Sequence, residues 1–436
     1  MRLSGSGIIS GMTHALDRSV RSAPSFFGPW VVRATFVMAM FGWGVGFYGP
    51  SIFLHTVVER TGWSLALVST AVTVHYLFGA LVVTRLPMLH RRFGVGPAAV
   101  AGTVSTALGV LGWSVASAPW QLFTAALLSG AGWVAMGAVA VNAAIAPWFE
   151  SGRPMALAKA YNGASVGGMV FSPLWVLLIA QWGFTNAAAV VGVAMIAVMV
   201  ALDRGVFART PGRLGQCPDG AAPSAALAKA HPPMAPVLTG RLLWRDRGFV
   251  TLALGMAAGL FAQIGMLAHL FSLLVPAFGA QAAGLTMGFA TACAIGGRLV
   301  VASVLPSGSN RRTVAALAYG VQLTGTVMLL LAGEQQTGLI LLGTALYGSG
   351  IGNATSLPPL IAQAEFAKAD VPRVVAMIVA LGQATYAFAP ATFGLLLSAS
   401  TVTSARIGVG SSLFFLAVAA VQGVAILCFL AGRKPT

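Results

Sequence analysis

Acidic side chains are nearly missing from this chain, and their scarcity is the first constraint on what it can do. Of 436 residues nine are Asp or Glu, and charged residues of both signs make up 8% of the sequence. A soluble chain carries about a quarter charged residues, so an aqueous globule is excluded. The acids are Asp17, Glu59, Glu150, Asp203, Asp219, Asp246, Glu334, Glu365 and Asp370, all in tails, loops or helix ends. Cysteine is scarce too. Cys217, Cys293 and Cys428 are scattered without a C-x-x-C, which supports neither a disulfide framework nor a zinc site. The chain has no Ser/His/Asp spacing, no metal-ligand cluster and no Gly-Lys-Ser/Thr phosphate loop. An enzyme is the least expected function, no cofactor is implied, and ATP is not the energy source.

Apolar length is abundant. Hydrophobic residues reach 57% and mean hydropathy is +0.86. About twelve apolar stretches run near 30–54, 64–84, 97–117, 119–142, 156–180, 184–202, 247–276, 282–305, 313–332, 336–362, 373–399 and 408–431. Each is close to the ~20 residues that span a bilayer, and continuous runs without period-2 alternation fit helices, not an outer-membrane barrel. The expected fold class is all-α integral membrane, with twelve transmembrane helices.

The net charge of +16 follows topology instead of marking a nucleic-acid partner. Only Arg60 and Arg406 among the 25 Lys and Arg fall on the side opposite the tails and even-to-odd loops, apart from Arg298 within the membrane. That asymmetry puts both termini in the cytoplasm of a multi-pass plasma (cell inner) membrane protein. No signal peptide is expected in the first 29 residues: Ile8-Ile9 is too short for an apolar core, and Arg2, Arg18 and Arg21 suit a basic tail.

Breakers divide the chain. The stretch 204–246 carries Thr210-Pro-Gly, Cys217-Pro-Asp-Gly and His231-Pro-Pro and reads as a cytoplasmic linker. It separates an N-terminal six-helix bundle, 30–203, from a C-terminal one, 247–431, with short cytoplasmic tails at 1–29 and 432–436. The halves repeat. Asn142-Ala-Ala-Ile-Ala-Pro147 matches Asn353-Ala-Thr-Ser-Leu-Pro358, 211 residues on, and Phe171-Ser-Pro173 matches Phe388-Ala-Pro390. Parallel repeats of this kind describe two pseudo-symmetric bundles with a binding site near the midplane between them.

Arg298 stands inside the apolar run Gly284 to Leu305 with no acid in reach along the sequence. An arginine at membrane depth costs roughly 2.5–3.5 kcal/mol and normally faces the bundle interior beside a partner. Either a ligand carboxylate is that partner, or the side chain snorkels to the helix end, roughly 10 Å away at 1.5 Å per residue. His269 offers a donor or a titrating imidazole, with helix packing as its alternative. Tyr347, Gln383, Tyr386, Tyr48, Asn142 and Asn162 offer further donors, for substrate or for interhelical hydrogen bonds. Gly42-x-Gly44-x-Gly46, Gly163-x-x-x-Gly167 and Gly348-x-Gly350-x-Gly352 read as close packing, and Pro50, Pro173 and Pro390 as kinks.

These residues carry a resemblance from Trp30 onward. Gly46-Phe-Tyr-Gly-Pro-Ser-Ile-Phe with Arg60-Thr-Gly-Trp-Ser, Pro147-Trp-Phe-Glu-Ser-Gly-Arg-Pro-Met-Ala-Leu-Ala with Asn162-Gly-Ala-Ser-Val-Gly-Gly, Arg209 through Gly220, and Gly296-Gly-Arg298-Leu are the segments concerned. Together they are similar to the major facilitator superfamily, in its monocarboxylate and oxalate–formate antiporter branch. The resemblance implies the major facilitator fold and a role for Arg298 in binding a substrate carboxylate. It also implies a gating loop motif, which departs from the family pattern here. Arg91 stands where the motif has aspartate, beside Arg92, and the second copy keeps only Arg311 and Arg312. Ala294 replaces the aspartate that many animal carriers place one turn before the arginine, so no carboxylate–arginine proton relay carries over.

The expected protein is a secondary active transporter, a monomer in the lipid bilayer, moving a small organic anion by alternating access. Proton symport and anion exchange both stay open, and no nucleic acid takes part. An exporter of a larger amphipathic compound is the alternative within transport. A non-transporting membrane sensor or scaffold is the alternative outside it.

Overall fold

The computed structural model describes residues 26–220, 243–304, 310–367, 369–399 and 407–432. Arg2, Arg18, Arg21, Arg406 and the stretch 305–309 of the second loop motif lie outside the described residues.

Helices form where the sequence is apolar on every side, because a bilayer leaves backbone groups no partner but their own chain. In chain order they are α1 Gly28–Thr61, α2 Leu65–Val83, α3 Val95–Val115 and α4 Pro119–Ile145, with a short helix Leu86–Phe93 between α2 and α3. Then follow α5 153–182, α6 184–202, α7 247–278 and α8 280–304. Last come α9 Arg311–Leu331, α10 Thr337–Glu365, α11 Val371–Ala399 and α12 Ser412–Ala431. The passes α5–α6 and α7–α8 run on almost without a loop. Each pair turns at one glycine, Gly183 at φ 75° and Gly279 at φ 72°, a left-handed conformation that side chains resist. An even number of passes puts the ends of α1 and α12 on one face, called here the terminal face.

The helices form two six-helix bundles, and small residues set how closely they pack. Gly163 and Gly167 of α5 leave no room for a Cβ against the carbonyls of Phe36 and Met40 on α1. Inside the C-terminal bundle the buried Gln263, Gln322 and Gln422 form an amide chain. Gln422 donates to Gln322 at 3.4 Å and Gln322 to Gln263 at 3.3 Å.

The bundles meet on the side away from the terminal face. Ser51 of α1 lies 3.9 Å from the Met287 sulfur of α8, His55 lies 3.2 Å from Ser272 of α7, and Thr73 of α2 accepts the Ala391 N–H of α11 at 2.9 Å. Gly284 and Gly288 of α8 press on Val176 and the Met169 carbonyl of α5. Nearer the termini, Asn162 on the α8-facing stripe of α5 is exposed. The halves are thus pinned together on one face and part toward the other.

On the terminal face the loop-motif arginines act within one bundle. Arg312 is fully buried and forks onto Glu365 of α10 at 2.6 and 2.8 Å, while also donating to the Gly248 carbonyl and Thr251 hydroxyl of α7. Arg311 donates to the Leu360 carbonyl at 2.6 Å. Arg91 and Arg92 are exposed on the short helix after α2, with Arg92 over the Phe93 ring. The Glu365 carboxylate is therefore spent inside the C-terminal bundle.

The stretch after α6 folds back on its own bundle. Asp219, held at φ 58°, accepts hydrogen bonds from the N–H groups of Glu150, Ser151 and Gly152 and from the Ser151 hydroxyl, at the start of α5. Gln216 accepts from the Phe27 N–H at 2.9 Å, and Arg209 lies over the Phe27 ring. A carboxylate suits this place, since the unpaired N–H groups of a helix start attract negative charge. Slight burial raises the Asp219 pKa, but the Ser151, Gly152 and Glu150 hydrogen bonds outweigh it and hold the carboxyl below the ordinary range.

Two outcomes are expected. Breaking a buried pair from one side costs about 3–5 kcal/mol, so Arg312→Gln lowers the melting temperature of the purified protein far more than Arg311→Gln. For Asp219 the depressed pKa means the strap is stable above the ordinary carboxylate value and is lost as pH falls through the lowered one. Amide exchange at Ser151 and Gly152, corrected for its intrinsic pH dependence, is slow at neutral pH and accelerates in acid. In Asp219→Asn it is fast throughout.

Candidate functional site

Arg298 sits on α8 where that helix touches α10. Gly297 makes the contact possible, since a Cβ there would enter the Ser349 carbonyl. The arginine stem then crosses Gly352 of α10, where a Cβ would stand 2.6 Å from both Cγ and Nε of Arg298. Beyond Gly352 the guanidinium reaches α5, and Nη2 donates to the Ser165 hydroxyl. The side chain is rooted in one bundle and ends on the other. No acid among the described residues pairs with it.

Tyr48 of α1 forms the third side. Its ring and the Thr291 methyl of α8 converge on Gly168 of α5, where a Cβ would be 2.6 Å from Tyr48 Cε2 and 2.8 Å from Thr291 Cγ2. Tyr48 closes a π-helical turn, Gly44–Tyr48, that bends α1 at mid-membrane. Such one-turn expansions recur at functional sites.

Aromatic rings continue from Tyr48 through the N-terminal bundle. Phe47 lies 5.1 Å from Tyr48 and 6.1 Å from Trp133, and Trp43 lies 6.2 Å from Trp133 and 6.1 Å from Tyr161. Phe47, Trp43 and Tyr161 are half-buried, giving a partly accessible apolar wall with few polar atoms. A fixed cation on one bundle and a ring-lined wall on the other suit a ligand with one anionic end and an apolar body.

Of the residues expected from sequence, Arg298 and Tyr48 come together. Asn142 belongs to the wall, donating to the Tyr161 hydroxyl at 2.6 Å and to the Ala138 carbonyl one turn back. Its repeat mate Asn353 does the same in the other bundle, donating to Ser349 one turn back and to Gly297 of α8, both at 3.4 Å. Asn162 lies on the same stripe of α5 as Ser165 and is exposed. Gln383 hydrogen-bonds Tyr386, whose ring meets Tyr76 of α2 at 5.9 Å across the bundle junction.

Two expected residues are placed elsewhere. Tyr347 is fully buried and donates to the Gln263 carbonyl at 2.9 Å, inside the glutamine chain. His269 is fully buried too; its Nε2 donates to the Pro390 carbonyl at 3.0 Å and its ring meets Phe414. Both follow their interhelical hydrogen-bonding alternative. Ser165 and Gly352 were not singled out for this site from sequence. Ser165 falls within Asn162-Gly-Ala-Ser, and Gly352 was read as packing only.

Comparison with known proteins agrees with this geometry. The family model described as Major Facilitator Superfamily matches residues 34–390. The chain belongs to the major facilitator superfamily. The superfamily fold is seen again in the crystal structures of the nucleoside transporter NupG and of a point mutant of it. Each superposes with a TM-score of 0.71 at 12% identity; the wild-type comparison covers 94% of this chain and the mutant 93%, and both cover 100% of NupG. Among curated sequences, Monocarboxylate transporter 13 of Bos taurus is 32% identical over 100 residues, 23% of each chain. The match thus spans less than a quarter of that relative's length. The superfamily assignment makes this a multi-pass membrane protein.

One steric consequence can be measured. Gly352→Ala drives a methyl into the Arg298 stem and is expected to destabilise the protein by about 1–3 kcal/mol, the usual cost of overpacking. Gly320→Ala, with nothing within 4 Å of the added carbon, changes the melting temperature little.

Proposed function

We propose that this superfamily transporter moves a small organic anion, a monocarboxylate, with Arg298 as its anchor. The observation that carries the proposal is the Arg298 guanidinium, set between the bundles with a serine hydroxyl and no carboxylate for company. A guanidinium presents two parallel N–H donors to a carboxylate, a stronger match than one neutral hydroxyl. A ligand held there touches both bundles, so rocking one against the other carries it from face to face. Tyr48 adds a phenol beside the anion, and the ring wall receives the apolar remainder. The similarity to a monocarboxylate transporter of cattle favours the same substrate class.

One fixed charge matches one carboxylate. Exchange of one monoanion for another needs no titrating group, whereas symport requires the proton to travel on the substrate or on a histidine. The Pro390 carbonyl leaves His269 able to take a second proton on Nδ1, so symport stays open, and exchange is the mode that asks least of the site. The basic residues gathered on the terminal face support cytoplasmic termini.

The test is uptake of labelled short monocarboxylates into proteoliposomes. Arg298→Ala is expected to reduce uptake at least tenfold and Arg298→Lys to restore part of it, since an ammonium keeps charge but loses the fork. Undiminished uptake by the alanine variant sinks the anchor role.

A further inference from the structure

The bend in α1 that carries Tyr48 is held from outside the helix. Pro50 has no N–H to offer the Gly46 carbonyl four residues earlier. His75 of α2 supplies the donor: its Nε2 lies 2.9 Å from the Gly46 oxygen. The next residue, Tyr76, donates its hydroxyl to the next carbonyl, Phe47, at 2.8 Å. Two consecutive side chains of α2 thus take two consecutive carbonyls of the π-turn.

His75 is itself braced. Its Nδ1 lies 2.9 Å from the Ser129 hydroxyl of α4, and that oxygen also accepts from Trp113 Nε1 of α3 at 3.2 Å. The imidazole stacks over Trp133 with an interplanar angle of 13° and is almost fully buried. With Nε2 donating to a carbonyl, Nδ1 is left as an acceptor, and the one Ser129 hydroxyl hydrogen has it at 2.9 Å against the Ala126 carbonyl at 3.2 Å, so one neutral tautomer satisfies both ring nitrogens. Nothing in this arrangement leaves the imidazole free to bind a ligand directly.

We propose that His75 is a positioning residue for the transport site: its bond to Gly46 fixes the π-turn of α1 and thereby the place of Tyr48 beside Arg298. The proposal rests on the anion-anchor function of Arg298 for its transport consequence but not for its structural one. Interior π-turns are local and readily rearranged, so a bond from a neighbouring helix decides which register the turn keeps. His75 connects α2, α3 and α4 to the π-turn of α1 whose Tyr48 lies against Thr291 of the other bundle.

Amide replacements separate the two ring nitrogens. Glutamine reaches where Nε2 stands and keeps a donor for Gly46; asparagine reaches only to Nδ1 and keeps Ser129. In hydrogen–deuterium exchange on purified full-length protein, His75→Asn is expected to speed exchange of amides 44–51 at least fivefold while α9 is unchanged. His75→Gln stays near wild type, and Tyr76→Phe lies between. With benzoate as the probe, binding followed by thermal shift weakens about tenfold in His75→Asn and in Tyr48→Phe, the scale of one lost hydrogen bond near a charge. The double variant is no weaker than either single one.

Unchanged exchange at 44–51 in His75→Asn overturns the proposal. So does equal impairment of the glutamine and asparagine variants, or losses that multiply in the double variant. Wild-type protein blind to benzoate, or Arg298→Gln binding it normally, counts against the carboxylate anchor instead. The exchange measurements need no ligand and then decide the His75 proposal by themselves.

Discussion

A guanidinium that cannot shed its proton has to be accommodated wherever the fold carries it, and in this protein it is carried to the junction of two bundles. Much of the site's local sequence follows from that need. Gly297 lets α8 lie on α10, Gly352 clears the path of the stem, and Ser165 receives the head on the far bundle. Glu365 would be the natural counter-ion elsewhere, but it is committed to Arg312, which ties α7, α9 and α10 together. The structure therefore gives its buried arginine a carboxylate and its half-buried one a single hydroxyl. The half-buried one faces the partner bundle.

The pseudo-symmetry of the two halves makes this asymmetry plain. Asn142 and Asn353 perform the same task, bonding one turn back and across to a neighbouring helix. Each bundle also hides a polar network. The C-terminal one links glutamines with Tyr347, and the N-terminal one links His75, Ser129 and Trp113 to the bent α1. Most of these polar atoms find partners inside their own bundle, as buried polar groups must, while among the described residues Gln422 Oε1 has none. Around Arg298 the charge comes from the C-terminal bundle, while the ring wall beside it comes from the N-terminal one.

The twelve passes were legible because membrane helices are apolar on all sides, so their depth and length are written directly in composition. The same property hides which way a side chain points. In a helix without an apolar stripe, a polar residue facing the junction looks identical to one facing its own bundle. His269 and Tyr347 qualify by depth and chemistry, and the fold spends both on backbone carbonyls of neighbouring helices. Arg298 escaped this ambiguity because an unpaired fixed charge has so few tolerable orientations. Ser165 and Gly352 lay beyond reach: a serine among small residues and a glycine among glycines have meaning only once the arginine stem is traced past them.

On the proposed function, the same electrostatics bears on coupling. To change face, a carrier passes through a state closed on both sides, where the midplane site is cut off from water. An empty carrier takes a bare guanidinium through that state with Ser165 as its compensation. A loaded one takes a neutral ion pair, and charge in a low-dielectric interior is far cheaper when paired. The loaded carrier therefore crosses more readily than the empty one, which is the condition for exchange of one anion for another. A second cation in the site would remove that bias for monoanions, and an acid one turn before Arg298, at Ala294, would remove it for the empty carrier. Neither is present among the described residues, so the single charge that selects the substrate also discourages the carrier from returning without one.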